Sequence, residues 1–186
     1  VVDFPCDLYV YVSSITVYED LSDPAHNVED FPIDPLRIGA YGFFKLMGEV
    51  IVRKHASRWL ILRLGNIVGP GLRRNPIYDL LPTSKLFVHP ASAMNFIDTR
   101  DFARIAWDLR TETDQIFNVA GRGTVELVSI ASRLGITLPN DALTFPKETQ
   151  RVNIEKLSGR MNVPESAATV MRFIEECRSG RIYLNG

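Results

Sequence analysis

Two short, nearly apolar runs constrain the fold of this chain more than any other feature. Residues 8–13 and 59–64 are rich in aliphatic, β-branched and aromatic side chains, and polar residues hardly alternate with them. Runs of this kind are typical of strands that are covered on both faces, as in a parallel sheet. A strand, a helix and a second strand in this order imply a right-handed parallel crossover.

The segment between the two runs supplies the helix of this crossover. Apolar side chains recur at steps of three and four from about Arg37 to Ala56, which predicts a helix there. Gly39, Gly42 and Gly48 each weaken such a helix by up to about 1 kcal/mol unless a close neighbour needs them small. The polar, proline-interrupted stretch at residues 19–35 is expected to be a loop, one that could cover a site.

The rest of the chain continues as an α/β pattern. The predicted elements are a helix from Thr99 to about Leu109, a strand at 115–119, a helix capped by Thr124 that ends near Gly135, and two closing helices at 153–162 and 165–178. The sequence therefore predicts an α/β domain.

Charge and composition argue against several classes of function. Lys and Arg number 21 against 22 Asp and Glu, so no overall basic field exists to attract nucleic acid or anionic lipid. No apolar run approaches the roughly 18 residues of a membrane span, and we expect a cytoplasmic protein without a membrane partner. Cys6 and Cys177 lack metal-like spacing, and His26 and His55 lack partners, so no metal site is expected.

The most informative motif is Tyr41-Gly42-Phe43-Phe44-Lys45. A spacing of four on a helix places the tyrosine hydroxyl and the lysine ammonium on one face, one turn apart. A free phenol ionises only near about pH 10, and a neighbouring cation is the simplest group that favours the phenolate at neutral pH. A tyrosine four residues before a lysine is common by chance, so an acid/base pair and an ordinary surface pair both remain open.

The context of this motif carries a family resemblance. The motif stands in one order with a Ser-Ser-x-x-Val-Tyr strand end and three later stretches, at residues 13–18, 62–71, 95–98 and 117–119. In this order the chain resembles the extended short-chain dehydrogenase/reductase family, of the NAD-dependent epimerase/dehydratase type that acts on nucleotide sugars. The resemblance spans about residues 8–135.

The resemblance implies an architecture. It implies the latter part of a doubly wound, Rossmann-like parallel sheet, followed by a smaller C-terminal substrate-binding α/β region. Residues 1–72 would form the C-terminal part of the Rossmann-like domain and carry the Ser-Tyr-Lys site. Residues 73–186 would be mostly substrate-binding, with segments at about 94–120 returning to the main sheet.

The resemblance also implies roles for individual residues. Tyr41 would be the general acid/base, Lys45 would favour its phenolate form, and both would contact NAD or NADP, with Lys45 bonded to the nicotinamide ribose. Ser14 would share the substrate oxygen, and Thr16 and Asn66 would join it in binding substrate. The residues alone leave alternatives open, since Ser14 could satisfy local backbone and Asn66 could be a turn residue. The implied activity is an NAD(P)-dependent oxidoreductase or epimerase acting on a sugar hydroxyl or keto group, in a homodimer.

Two departures from the family pattern affect the substrate. Ile15-Thr16 stands where the nucleotide-sugar 4,6-dehydratases carry an acidic pair, so dehydration is disfavoured. Met94 stands where members that bind a nucleotide diphosphate often have an arginine. Methionine cannot donate the two parallel hydrogen bonds with which an arginine guanidinium binds a phosphate. Arg73, Arg74 or Arg151 could compensate, although a solvated surface charge is the alternative for each.

The family's glycine-rich strand-turn-helix, which holds the cofactor pyrophosphate, does not occur before Leu8. The chain also begins without an initiator methionine, and we expect roughly a hundred further residues upstream, on this chain or another, to supply the first half of the sheet. The isolated chain is then expected to be inactive. The alternative is a non-catalytic remnant, or a ligand-binding or partner-binding domain of the same fold.

Overall fold

The computed structural model describes residues 6–71 and 75–183, and these divide into two compact units. The first unit consists of the described residues within Val1–Gly65, Phe102–Val119 and Val152–Asn162. The second consists of those within Asn66–Asp101, Ala120–Arg151 and Val163–Gly186. In chain order the strands and helices are β1 (Tyr9–Ser14), α1 (Ala40–His55), β2 (Trp59–Leu64), β3 (Asn66–Val68), α2 (Pro76–Thr83), β4 (Ala93–Met94), β5 (Phe96–Asp98), α3 (Thr99–Asp108), β6 (Gln115–Val119), β7 (Val125–Glu126), α4 (Leu127–Leu134), β8 (Thr149–Gln150), α5 (Glu155–Ser158) and α6 (Ser166–Arg178).

The first unit is built on a parallel three-stranded sheet in the order β1-β2-β6. Tyr9 lies opposite Trp59, and Leu60 lies opposite Gln115. The middle strand β2 is fully buried through Leu60, Ile61 and Leu62, as its apolar sequence predicts. The predicted strand, helix and parallel strand are therefore confirmed, with α1 as the connecting helix.

The second unit has two small sheets and its own core. Strands β3 and β5 pair in parallel, and β4 lies between antiparallel β7 and parallel β8. Helix α6 packs against β5, and helices α2 and α4 pack together. Large buried side chains of this core include Ile77, Leu80, Phe96 and Phe173. Within the stretch at 94–120, β5 thus pairs inside this unit, whereas β6 joins the sheet of the first unit.

Two of the sequence predictions need correction, and one helix is absent from them. Thr124 does not cap α4, which begins at Leu127, because the residues before it are strand β7 paired with β4. The helix predicted at 153–162 is only the single turn α5, and the backbone of Asn153 before it is bonded to side chains of Asn27 and Asn118. Helix α2 was not predicted, although an asparagine cap followed by proline is a helix-start signal.

A cluster of charges holds α6 to the end of β5. The carboxylate of Asp98 is fully buried and accepts hydrogen bonds from the Arg100 guanidinium at 2.6 and 2.9 Å. Arg100 also donates to Glu176 on α6 at 2.6 and 3.2 Å, and Arg172 lies 3.4 Å from Asp98. Burial alone would raise the pKa of Asp98, but the hydrogen bonds from Arg100 hold it below its ordinary value. The same guanidinium lowers the pKa of Glu176.

These lowered pKa values make the stability of the second unit depend on pH. Because Asp98 and Glu176 ionise more readily in the folded state, their stabilisation is present above the unfolded value, about pH 4, and is lost as pH falls through the folded pKa. We expect Arg100→Met to lose less free energy of unfolding between pH 7 and pH 3 than the wild type does. Urea denaturation at both pH values measures this, with the exposed Arg133→Met as control. Equal losses in Arg100→Met and wild type would contradict the assignment.

Candidate active site

The candidate site begins at Ser14, the last residue of β1. Its hydroxyl oxygen accepts hydrogen bonds from the backbone N–H of Thr16 at 3.2 Å and from the Thr16 hydroxyl at 3.0 Å, and so caps the short helical turn Ile15–Val17. Ser14 therefore does satisfy local backbone, which was one of its two sequence interpretations. A hydroxyl also has a proton to donate, so this role leaves Ser14 able to bond a substrate oxygen.

The first turn of α1 packs against this turn. A methyl group on Gly42 would overlap the backbone carbonyl oxygen of Thr16, so the helix approaches this closely only because residue 42 has no side chain. Gly42 is therefore a helical glycine that a close neighbour, Thr16, needs to be small. Tyr41, the residue before it, lies in the same turn and is 61% exposed.

Lys45 lies one helical turn beyond Tyr41. Its ammonium nitrogen donates a hydrogen bond of 2.9 Å to the carbonyl oxygen of Val12 on β1 and lies 5.7 Å from the centre of the Tyr41 ring. The two side chains therefore share a face of α1, as their spacing predicts. The Val12 contact also ties Lys45 to the strand that ends in Ser14.

A buried ion pair connects this helix to the sheet. Glu49 on α1 and Arg63 on β2 are 1% and 3% exposed, and the guanidinium donates to both carboxylate oxygens at 2.9 and 3.0 Å. The Ser13 hydroxyl donates to the same carboxylate at 2.5 Å, and Arg63 donates to the Tyr18 hydroxyl at 2.7 Å. Burial disfavours the charged guanidinium, but the hydrogen bonds and charge of Glu49 hold the pKa of Arg63 above its ordinary value.

Sequence reasoning did not identify this pair. Its signal was an arginine inside the apolar run at residues 59–64 and an acidic residue on the buried side of an amphipathic helix. Long charged side chains are almost never fully buried unless they are paired. A search for opposite charges at buried positions would have found Glu49 and Arg63.

The network continues into the loop that precedes α1. The Tyr18 hydroxyl donates to the Asn118 side chain at 2.9 Å, and burial raises the pKa of Tyr18. The Asn118 amide donates to the backbone of Asn27, while its own backbone N–H donates to Glu29. The predicted loop is therefore anchored to the sheet by side-chain and backbone hydrogen bonds.

Asn66 lies in the second unit. It is the first residue of β3, so its interpretation as a turn residue is wrong. Its side-chain amide donates to the carbonyl oxygen of Asn95 at 3.2 Å and to Gln150 at 2.7 Å. Both amide protons are thus used, and the side-chain oxygen is the atom that Asn66 can offer to a ligand.

The positions related to phosphate binding are only partly described. Met94 is 2% exposed in β4, and Arg151 is exposed. Arg73 and Arg74 lie outside the described residues. In the parts of the chain at 6–71 and 75–183, no group of three or more His, Cys, Asp or Glu side chains is arranged to hold a metal ion. None of the helices described there is long and apolar enough to cross a membrane.

Comparison with known proteins adds a family and a fold. Residues 2–120 match the model of the family described as NAD dependent epimerase/dehydratase. No curated protein matches the chain. Among solved structures, UDP-galactose 4-epimerase is 24% identical, with a TM-score of 0.69 over 93% of this chain and 64% of that one.

Two further solved structures share the fold of this chain. The Bordetella bronchiseptica enzyme WbmG, solved with NAD and UDP, is 19% identical, with a TM-score of 0.72 over 93% of this chain and 60% of that one. The dTDP-glucose 4,6-dehydratase of Bacillus anthracis, solved with NAD, is 15% identical, with a TM-score of 0.74 over 94% of this chain and 63% of that one. The chain shares their Rossmann-like α/β fold and spans less than two thirds of their length.

Proposed function

Because the chain belongs to the NAD dependent epimerase/dehydratase family, we propose that the whole protein is an NAD(P)-dependent epimerase or reductase acting on a sugar hydroxyl or keto group. The observation that carries the proposal is the position of Lys45, whose ammonium is bonded to Val12 and lies 5.7 Å from the Tyr41 ring. The helix that bears this pair begins against the turn capped by Ser14. A phenol, an ammonium and a hydroxyl in this setting suit proton exchange at a substrate oxygen.

Each side chain has a distinct task in this proposal. Tyr41 gives a proton to the substrate oxygen or takes one from it, and its exposure leaves the hydroxyl accessible. Lys45 holds its positive charge 5.7 Å from the centre of the Tyr41 ring and stabilises negative charge that develops during the proton exchange. Ser14 donates a hydrogen bond to the same substrate oxygen and stabilises negative charge that develops there. Thr16 and the side-chain oxygen of Asn66 contribute to substrate binding.

The hydrogen-bond donors of Lys45 and Tyr41 suit the ribose of a nicotinamide cofactor. An ammonium has three N–H donors, and the bond to Val12 uses one of those on Lys45. The remaining donors suit ribose hydroxyls, and Tyr41 is the neighbouring polar group. When bound, the cofactor supplies hydride exchange at the carbon that carries the reacting oxygen. The groups for its pyrophosphate are not among the motifs of this chain.

We propose a nucleotide sugar as the substrate class. Two of the similar solved structures support this choice by the substrate and ligand in their names, UDP-galactose and UDP. Ile15-Thr16 lacks the acidic pair of the dehydratases, which favours epimerisation or reduction over loss of water. The outward face of α1, with Phe44 71% exposed, supports pairing of two copies through this helix.

A non-catalytic ligand-binding domain is the second candidate. Met94 favours it, because a buried methionine supplies no fork for a nucleotide diphosphate. Calorimetric titration of the whole protein with NAD, NADP and a UDP-sugar separates the candidates. Binding of NAD or NADP supports the enzyme, whereas absence of binding of either dinucleotide supports the second candidate.

Hydride turnover tests the proposed function directly. The whole protein is expected to interconvert sugar epimers or to change the nicotinamide absorbance with a nucleotide sugar, and Ser14→Ala is expected to lower kcat by about 10²-fold, since one donor to the developing charge is lost. Ser57→Ala, an exposed serine between α1 and β2, is the matched control. Absence of any turnover in the wild type with both cofactors would refute the function.

A further inference from the structure

Tyr11 contacts Lys45 of the candidate site and has no role in the proposed function. It is a half-buried residue of β1, and its ring centre is 5.5 Å from the ammonium nitrogen of Lys45. Its hydroxyl lies 3.5 Å from the backbone carbonyl oxygen of Lys45, at the limit of a hydrogen bond. Tyr11 therefore meets the lysine at two points, on the side chain and on the helix backbone.

The helix leaves room for this ring at one position. A methyl group on Gly48 would overlap the hydroxyl and the adjoining ring carbon of Tyr11. Glycine inside a helix is destabilising relative to alanine, so a glycine here weakens α1 locally. The space that it leaves is the space in which the Tyr11 side chain lies.

These contacts restrict the orientation of the Lys45 side chain. A lysine side chain has four flexible carbon–carbon bonds, and a single hydrogen bond to Val12 leaves its ammonium several orientations. A cation within about 6 Å of an aromatic ring centre is attracted to the ring. Lys45 has such a distance to the ring of Tyr11 as well as to that of Tyr41.

We propose that Tyr11 is a positioning residue that holds the Lys45 ammonium beside Tyr41, and that Gly48 provides the room for its ring. The inference rests on the proposed function, in which Lys45 serves Tyr41 and the cofactor ribose. Tyr11 itself takes no part in proton exchange. Burial, followed by the charge of Glu49, raises the pKa of Tyr11, so its hydroxyl keeps its proton through neutral pH.

Spectroscopy of the whole protein tests the contact without requiring activity. In protein labelled with ¹³C-lysine, an aromatic ring near the Lys45 ammonium displaces the signal of the adjacent CH₂ group, which Lys45→Arg identifies by its loss. Tyr11→Leu is expected to move this signal toward that of Lys54, an exposed lysine on the same helix. Tyr11→Phe, which keeps the ring, is expected to leave it in place.

Kinetics test the positioning role. Tyr11→Leu is expected to lower kcat about 2- to 30-fold, the range of a single cation–aromatic contact, with little change in the KM for the nucleotide sugar. Tyr11→Phe is expected to retain most of kcat, and Gly48→Ala to resemble Tyr11→Leu because its methyl group displaces the ring. Tyr9→Leu removes an equal ring two residues earlier on the same strand face and is the control for loss of packing.

The outcomes separate the two proposals. An unmoved Lys45 signal in Tyr11→Leu overturns the contact. A moved signal with unchanged kcat overturns the positioning role and leaves the proposed function standing, as does an equal loss of kcat in Tyr9→Leu. Absence of turnover in the wild type overturns the proposed function, and the role of Tyr11 in it, whatever the spectra show.

Discussion

Arg63→Met is expected to lower the free energy of unfolding by about 3–5 kcal/mol, because it leaves the buried Glu49 carboxylate without its cation. Methionine preserves much of the side-chain volume, so the loss reflects the charge and its hydrogen bonds more than a cavity. The Tyr18 hydroxyl loses a donor at the same time. Since whole domains are stable by only about 5–15 kcal/mol, the variant is expected to be close to unfolding. Urea denaturation followed by circular dichroism measures the change.

Two further variants make this expectation specific to the buried pair. Arg58→Met removes an exposed arginine next to the same strand and is expected to change stability by less than about 0.5 kcal/mol. The double variant Arg63→Met with Glu49→Leu removes both charges and is expected to be more stable than Arg63→Met alone. If Arg63→Met were no less stable than Arg58→Met, the ion pair would not be what holds α1 to the sheet.

Tyr41→Phe is expected to lower kcat of the whole protein by about 10²–10⁴-fold, the usual contribution of a positioned general acid or base. The variant keeps the ring beside Lys45 and removes only the hydroxyl that would exchange the proton. Because the side chain is 61% exposed, the expected change in stability is small. Initial rates and thermal denaturation of the same preparations separate a loss of chemistry from a loss of folding.

Tyr183→Phe provides the matched control for this variant. Tyr183 is also exposed, lies in the second unit and has no part in the proposed site, so its turnover is expected to equal that of the wild type. Wild-type turnover in Tyr41→Phe would show that another group carries the proton. The proposed roles of Lys45 and Tyr11 depend on proton exchange at Tyr41 and would then be refuted as well.

Elements with a recognisable local pattern of apolar residues were predicted most accurately. Strand β6 at 115–119 was predicted with its observed bounds, and α1 was predicted to within three residues at its first end and one at its last. Such segments contain enough consecutive residues for a period to be visible. Strands of two or three residues, such as β4 and β7, have no period of their own, and partners distant in the chain decide that they form.

Within the candidate site, residues recognised by a pattern inside one element were predicted, and residues that act on another element were not. Tyr41 and Lys45 were found because their relation is a spacing within one helix, and Ser14 was found because it ends a strand and belongs to a family motif. Glu49, Arg63 and Tyr11 were not found, because each acts on a residue of another element. The proposed roles of Ser14, Thr16, Tyr41, Lys45 and Asn66 stay predictions, and Ser14→Ala and Tyr41→Phe test two of them.

The sequence by itself determined the order of strand, helix and parallel strand, and the common helical face of Tyr41 and Lys45. Both follow from local periodicity, since side-chain direction repeats every two residues in a strand and every 3.6 in a helix. Only the tertiary structure decided which carboxylate meets Arg63, how closely Gly42 approaches Thr16, and which ring lies beside Lys45. Those contacts depend on the register and distance between elements, which no local pattern in the chain encodes.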